Sequence, residues 1–126
     1  MTRGGRILVV EDDAGVAAVV SAALGEEGFE CLWVASDTDA QDAIMASPPP
    51  LALVLDINLG LGTTGFDVAR FGRQRHPDIP VIFMSGSVSE RSFKAFGVPH
   101  SHFLTKPFSL EELQMVLRDA IPSIAA

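Results

Sequence analysis

Tyrosine is absent from this chain, and cysteine and tryptophan occur once each, as Cys31 and Trp33. A single cysteine excludes an internal disulfide and a cysteine-built zinc cluster, and it fits a reducing compartment, so a cytoplasmic address is expected. Basic residues are scarce: nine Lys and Arg against sixteen Asp and Glu give a formal charge of -7. That balance disfavours a nucleic-acid partner held by phosphate neutralisation. No apolar run approaches the roughly 20 residues of a membrane-spanning helix, so no membrane partner is expected. The basic start, Met1 to Arg6, precedes an apolar stretch too short for a signal segment and reads as a frayed leader.

What is present is one repeating pattern. At 126 residues and 48% hydrophobic content, the chain suits a single domain over residues 1–126, with its core at about 6–121 and no output domain. Short apolar runs end in polar residues four times: Ile7 to Val10 before Glu11-Asp12-Asp13, Leu51 to Leu55 before Asp56, Val81 to Met84 before Ser85-Gly86, and His102 to Thr105 before Lys106-Pro107. Helical stripes lie between them. Val16, Val19, Val20, Ala23 and Leu24 recur at helical spacing up to Gly25 or Gly28. Ser36 or Asp37 caps a second helix to about Ala46, with Ala40, Ala43 and Ile44 inward. A third runs from near Gly65 to His76-Pro77, and a short fourth through Phe93 and Phe96 toward Gly97. Ser109 and Glu112 form a capping box for a fifth, striped by Leu110, Leu113, Leu117, Ala120 and Ile121. Phe29 to Ala35 alternates imperfectly and reads as an edge strand.

Strands alternating with helices predict a parallel sheet covered on both faces. The uniformly apolar strands around Val9, Val54 and Ile82 belong at its centre, and the second and fifth at its edges. The fold class is therefore α/β, a flavodoxin-like (βα)5 doubly wound sheet of order 2-1-3-4-5. Ligands of such sheets bind beyond the carboxyl ends of the strands, where Glu11, Asp12 and Asp56 lie. Acids converging there repel unless a cation joins them, and an all-oxygen set favours Mg²⁺. Asp56 can then act as a covalent nucleophile toward phosphorus, with Lys106 supplying positive charge, Ser85 a hydroxyl donor, and the N–H groups near Gly86 and Ile57 completing the cradle.

With these residues in place, the chain resembles the receiver domain of two-component response regulators, of the single-domain type. The resemblance runs through Leu8-Val9-Val10-Glu11-Asp12-Asp13, Leu53-Val54-Leu55-Asp56-Ile57-Asn58-Leu59, Pro80-Val81-Ile82-Phe83-Met84-Ser85-Gly86 and Phe103-Leu104-Thr105-Lys106-Pro107-Phe108. It implies a phosphoacceptor rather than a turnover enzyme: Asp56 would take phosphate from a histidine kinase or a histidine phosphotransfer protein. Mg²⁺ would be held by Asp12, Asp56 and the main-chain carbonyl of Asn58, with Glu11 acting through water. Ser85 and Phe103 would be switch residues, Lys106 would pair with the phosphoryl group, and the Lys106-Pro107 bond would be cis. A downstream protein would read the face of the fourth helix, fifth strand and fifth helix, which is also the expected homodimer surface; a phosphate-sink role is the other outcome.

Two departures, in the loop at 60–65 and at Phe103, accompany the resemblance, besides the absence of an output domain after the fifth helix. Gly60 and Thr64 stand where the family usually has Pro and Gly, Gly65 arrives one residue late, and Phe103 replaces a frequent tyrosine. The loop from Gly60 through Gly62 to Gly65 is therefore expected to be longer. Alternatives from other classes are a Mg-dependent phosphatase of haloacid-dehalogenase type, weakened by Asn58 where a second Asp is wanted, and a flavodoxin-like redox module, weakened by the acids after the first strand. A degenerate receiver serving only as an interaction module is a further alternative. Asp13 is read as a helix cap; Trp33 and Met84 as packing residues; His76, His100 and His102 as neither metal nor catalytic; Arg91 and Lys94 as a solvated face.

Overall fold

In the computed structural model, which describes residues 5–59, 64–86 and 90–121, strands and helices alternate along the chain. They are β1 (Arg6–Val10), α1 (Ala14–Glu26), β2 (Glu30–Val34), α2 (Asp37–Met45), β3 (Ala52–Asp56), α3 (Gly65–Arg75), β4 (Val81–Ser85), α4 (Glu90–Phe96), β5 (His102–Thr105) and α5 (Leu110–Ala120). All strand pairs are parallel, in the order β2-β1-β3-β4-β5. This is the flavodoxin-like doubly wound sheet, and the physical reason is visible in the strand compositions. β3 and β4 are buried at every position and β1 at all but Arg6, whereas β2 and β5 at the edges keep exposed residues. A strand that is apolar throughout is stable only with both faces covered.

The pleat divides the interior in two. Ile7, Val9, Val54, Ile82 and Met84 pack with Val20, Ala23 and Leu24 of α1 and Leu113 and Leu117 of α5. Leu8, Val10, Leu53, Leu55 and Phe83 pack with Ala40 and Ile44 of α2, Phe66 and Ala69 of α3, and Phe93 of α4. Successive side chains on a strand point to opposite faces, so each central strand contributes to both cores. Where α3 crosses the sheet, Gly72 lies so close to Leu53 that a Cβ there would stand 2.6 Å from Leu53 Cδ1.

Helix starts are set by side chains that accept otherwise orphaned N–H groups. Asp13 Oδ1 accepts from Val16 N at 3.1 Å, so Asp13 is a cap. Ser36 caps α2, and Thr64 with Asp67, like Ser109 with Glu112, completes a capping box. At the far end of α3, Arg73 donates from Nε to the Ile79 carbonyl at 2.8 Å and from its terminal nitrogens to the carbonyls of Pro99, at 2.6 Å, and His100, at 3.1 Å. One guanidinium thus ties the exit of α3 to the approaches of β4 and β5.

Three expectations are corrected. The inward stripe of α1 is Ala17, Val20, Ala23 and Leu24; Val19 stands 45% exposed, because the face turned to the sheet passes through Val20 and leaves its neighbour to one side. The buried stripe of α5 begins at Leu113, and Leu110 in its first turn is exposed. The leader ends earlier than Arg6: the Gly5 carbonyl accepts from Glu30 N, and Arg6 begins β1; Met1 to Gly4 lie outside the described residues. Replacing Ser109 by Ala removes the acceptor held 3.0 Å from Glu112 N. We expect a loss of about 1 kcal/mol in urea unfolding, with Ser109→Gly losing only a few tenths.

Candidate functional site

The ends of β1, β3, β4 and β5 open on one edge of the sheet, and parallel pairing sets which residues meet there. Asp56 is opposite Met84, and Ser85 opposite Thr105. Asp56 and Ser85, the last residues of β3 and β4, and Glu11 and Lys106, the first past β1 and β5, therefore lie at the same end of the sheet. Glu11, Asp56 and Ser85 are all buried, which is costly for acids unless they are paired.

The pairing is made by Lys106. Its Nζ donates to Glu11 Oε1 at 2.6 Å and lies 3.5 Å from Asp56 Oδ1. The other Glu11 oxygen accepts from Asp13 N at 3.1 Å, and Asp56 Oδ1 accepts from Asn58 N at 3.2 Å. Asp12, exposed, completes a group in which Glu11, Asp12 and Asp56 each offer an oxygen within 4.8 Å of the others. Every donor of this set is a carboxylate oxygen, the chemistry of a hard divalent cation. The residues present therefore fit Mg²⁺: three acids face a single ammonium, leaving the site short of positive charge.

Charge crowding shows in the titration of the groups. Burial pushes the Glu11 carboxyl up to about 7, against the hydrogen bonds from Lys106 and Asp13, and Asp56 adds to the rise. Burial acts against the charged form of Lys106 too, but the bond to Glu11 and the charges of Asp56 and Glu11 outweigh it and hold the ammonium above its ordinary value. The two directions are compatible. Burial favours the neutral form of Glu11, while its carboxyl partners keep Lys106 charged.

Phe103 lies half-buried on β5, its ring 5.2 Å from that of Phe93 on α4. The Lys106-Pro107 peptide is cis, as is Ser47-Pro48. Of the N–H groups near Ile57, that of Ile57 itself donates to the Met84 carbonyl at 3.0 Å, and that of Asn58 is the one turned to Asp56. Trp33 is corrected. Met84 is a packing residue, wholly buried, but Trp33 is 46% exposed and its indole Nε1 donates to the Glu11 carbonyl at 2.7 Å. Neither this bond nor the closer pairing of Lys106 with Glu11 than with Asp56 has a signal in sequence spacing, since each joins residues far apart in the chain. His76, which caps the C-terminal end of α3, sets its Nε2 3.1 Å from the Ile44 carbonyl of α2.

Residues 7–118 match the family model of the response regulator receiver domain. The chain belongs to that family. Regulatory protein LuxO of Vibrio vulnificus is 35% identical over 115 residues, covering 90% of this chain and 25% of that protein. The phosphate regulon transcriptional regulatory protein PhoB of Pseudomonas aeruginosa is 33% identical over 113 residues, covering 87% of this chain and 48% of that protein. The receiver domain thus spans about a quarter to a half of the length of these relatives. A solved response regulator receiver protein from Sinorhizobium medicae superposes with a TM-score of 0.85 at 26% identity, covering 98% of this chain and 97% of that one.

In this receiver domain the departure at residues 60–65 falls partly outside the described residues, which exclude Gly60 to Thr63. Both ends of the loop are nevertheless anchored: Asn58 and Thr64 form an antiparallel bridge, and Gly65 N donates to the Ile57 carbonyl at 2.9 Å. A Cβ at Gly65 would run into the Asp56 carbonyl oxygen and lie 3.1 Å from Ile57 Cα. Only glycine lets α3 start directly against the backbone that carries Asp56. Gly65→Ala must shift that backbone; we expect roughly 1–3 kcal/mol of destabilisation by thermal melting.

Glu11 also sets a pH dependence. Its unfolded-state value is near 4.5 and its folded value about 7. Between these the native state holds a proton that the unfolded chain has released, so without metal this group makes stability fall as pH rises through that window. Urea midpoints in EDTA at pH 5 and pH 7.5 should show a smaller decline for Glu11→Gln than for the parent protein; a decline of equal size contradicts the assignment.

Proposed function

We propose that this receiver accepts a phosphoryl group on Asp56 from a histidine kinase or a histidine phosphotransfer protein, in a Mg²⁺-dependent reaction. The observation that carries the reading is the meeting of Asp56 with Glu11, Asp12 and Lys106 at the ends of β1, β3 and β5. Asp12, Asp56 and the Asn58 carbonyl would hold the cation, with Glu11 reaching it through water. A divalent ion bound there neutralises the carboxylates and lets an anionic phosphoryl group approach them.

Asp56 has the position of a nucleophile. Its carboxylate forms a bond to phosphorus as the phosphorus–nitrogen bond of a phosphohistidine breaks, and the imidazole leaves neutral after taking a proton. Lys106 Nζ, on a strand-end anchored by Lys106 N donating to the Ser85 carbonyl, would turn from Glu11 to the new phosphoryl oxygens. Ser85 would supply a hydroxyl to the same oxygens. Movement there is transmitted to Phe103, whose packing on Phe93 links β5 to α4. With no tyrosine in the chain, the two states of this aromatic position differ by packing alone, and the covalent phosphate biases the equilibrium between them.

The face of α4, β5 and α5 is the proposed surface for a downstream protein and for homodimerisation. Met115 on α5 is exposed, at 66%, whereas the Phe96 ring of α4 stands 6.1 Å from that of Phe66 on α3. Acid-rich composition argues against nucleic acid as the partner of this domain, and among the described residues no helix is long and apolar enough to cross a membrane. A cytoplasmic site of action agrees with a kinase donor. The haloacid-dehalogenase reading lacks its second acid, since position 58 is Asn.

Acetyl phosphate with Mg²⁺ should add one phosphate to the protein, and Asp56→Asn should add none, by intact-mass spectrometry; equal labelling of the two refutes the assignment. EDTA should block labelling and leave the circular-dichroism spectrum intact, because the cation serves chemistry and not the core.

A further inference from the structure

Glu11 is held from two sides by the edge strand β2. Its N–H donates to the Val34 carbonyl at 3.1 Å, and its own carbonyl accepts from the Trp33 indole Nε1 at 2.7 Å. The first bond orients the peptide unit between residues 10 and 11, and the second the unit between residues 11 and 12. A peptide unit is planar, so pinning the Glu11 oxygen sets the direction in which the chain leaves toward Asp12. Asp12 needs such a support: it lies beyond the last residue of β1, exposed, before α1 begins at Ala14.

The indole supplies this bond at a cost. Trp33 remains 46% exposed on a strand that lies at the sheet edge, where a small or polar residue would expose less apolar surface. Its neighbours on that strand already provide the ordinary pairing, with Trp33 in register with Val9 and Val34 with Val10. The hydrogen bond to Glu11 therefore lies outside the sheet ladder and acts on the acidic turn alone.

We propose that Trp33 is a positioning residue for the cation site, its indole N–H fixing the Glu11–Asp12 peptide so that Glu11 and Asp12 converge on Asp56. The proposal rests on the Mg²⁺-binding reading given above, and it makes the one tryptophan of the chain a part of the site's support. Trp33→Phe keeps an aromatic ring on the edge strand and deletes only the donor. A neutral hydrogen bond of this kind corresponds to about three- to ten-fold in affinity.

The test is a Mg²⁺ titration followed by thermal shift, on the parent protein and Trp33→Phe, with melting in EDTA as the baseline and initial labelling by acetyl phosphate measured across the same Mg²⁺ range. Positioning predicts a Mg²⁺ midpoint raised about three- to ten-fold, with little change in the EDTA melting temperature and a labelling rate that recovers at saturating Mg²⁺. An unchanged midpoint overturns the proposal, and so does a lower EDTA melting temperature with the midpoint unmoved, which would make Trp33 merely structural. If the parent protein itself shows no Mg²⁺ shift, the proposed metal dependence fails along with this inference; if only the variant comparison is flat, the inference fails alone.

Discussion

The ammonium of Lys106 between two buried carboxyl groups is the interaction on which the rest of the site depends. Glu11 and Asp56 are almost wholly removed from water, and acids in that condition are tolerated only when opposite charge and donors are supplied. Lys106 reaches them because β1, β3, β4 and β5 run parallel and end together, so that residues separated by more than ninety positions share one rim. Take away the parallel register and Glu11, Asp56 and Lys106 are three unrelated charges. The sheet is therefore more than a scaffold: its topology is what concentrates charge.

That concentration is incomplete by design of the donor set. Three acids and one lysine leave a negative surplus, and burial shifts the Glu11 carboxyl toward its neutral form. The surplus lies where Glu11, Asp12 and Asp56 each offer an oxygen, a donor set that suits a divalent ion. Function here draws on a local arrangement that would be unfavourable as pure structure, a pattern seen wherever titratable groups are pressed together at strand ends. The surrounding core holds the arrangement: two apolar layers clamp the central strands, and Gly65 lets α3 sit directly on the backbone of Asp56.

The support extends outward to residues whose side chains do not belong to the acidic cluster. Trp33 and Val34 of the edge strand hold the main chain of Glu11, and Arg73 fastens α3 to the turn before β5. Both act through main-chain carbonyls. A carbonyl has no residue identity, so such bonds leave no trace in a motif; they are apparent only when the chain is folded.

Much was readable from residue order. Period-two and period-3.6 patterns located all ten elements, because burial on one or two faces leaves a compositional record, and the caps Asp13, Ser36 and Ser109 were visible because the preference for short acceptors is local. The approach of Glu11, Asp12, Asp56 and Lys106 to one another followed from strand-end position and parallel order together. What the chain alone did not decide were the inner faces of α1 and α5, where Val19 and Leu110 turn outward, the loss of Ile57 N–H to sheet pairing, the preference of Lys106 for Glu11 over Asp56, and the bond from Trp33. Each of these depends on distances of about an ångström between elements remote in sequence, and periodicity carries no information on that scale; only packing sets it.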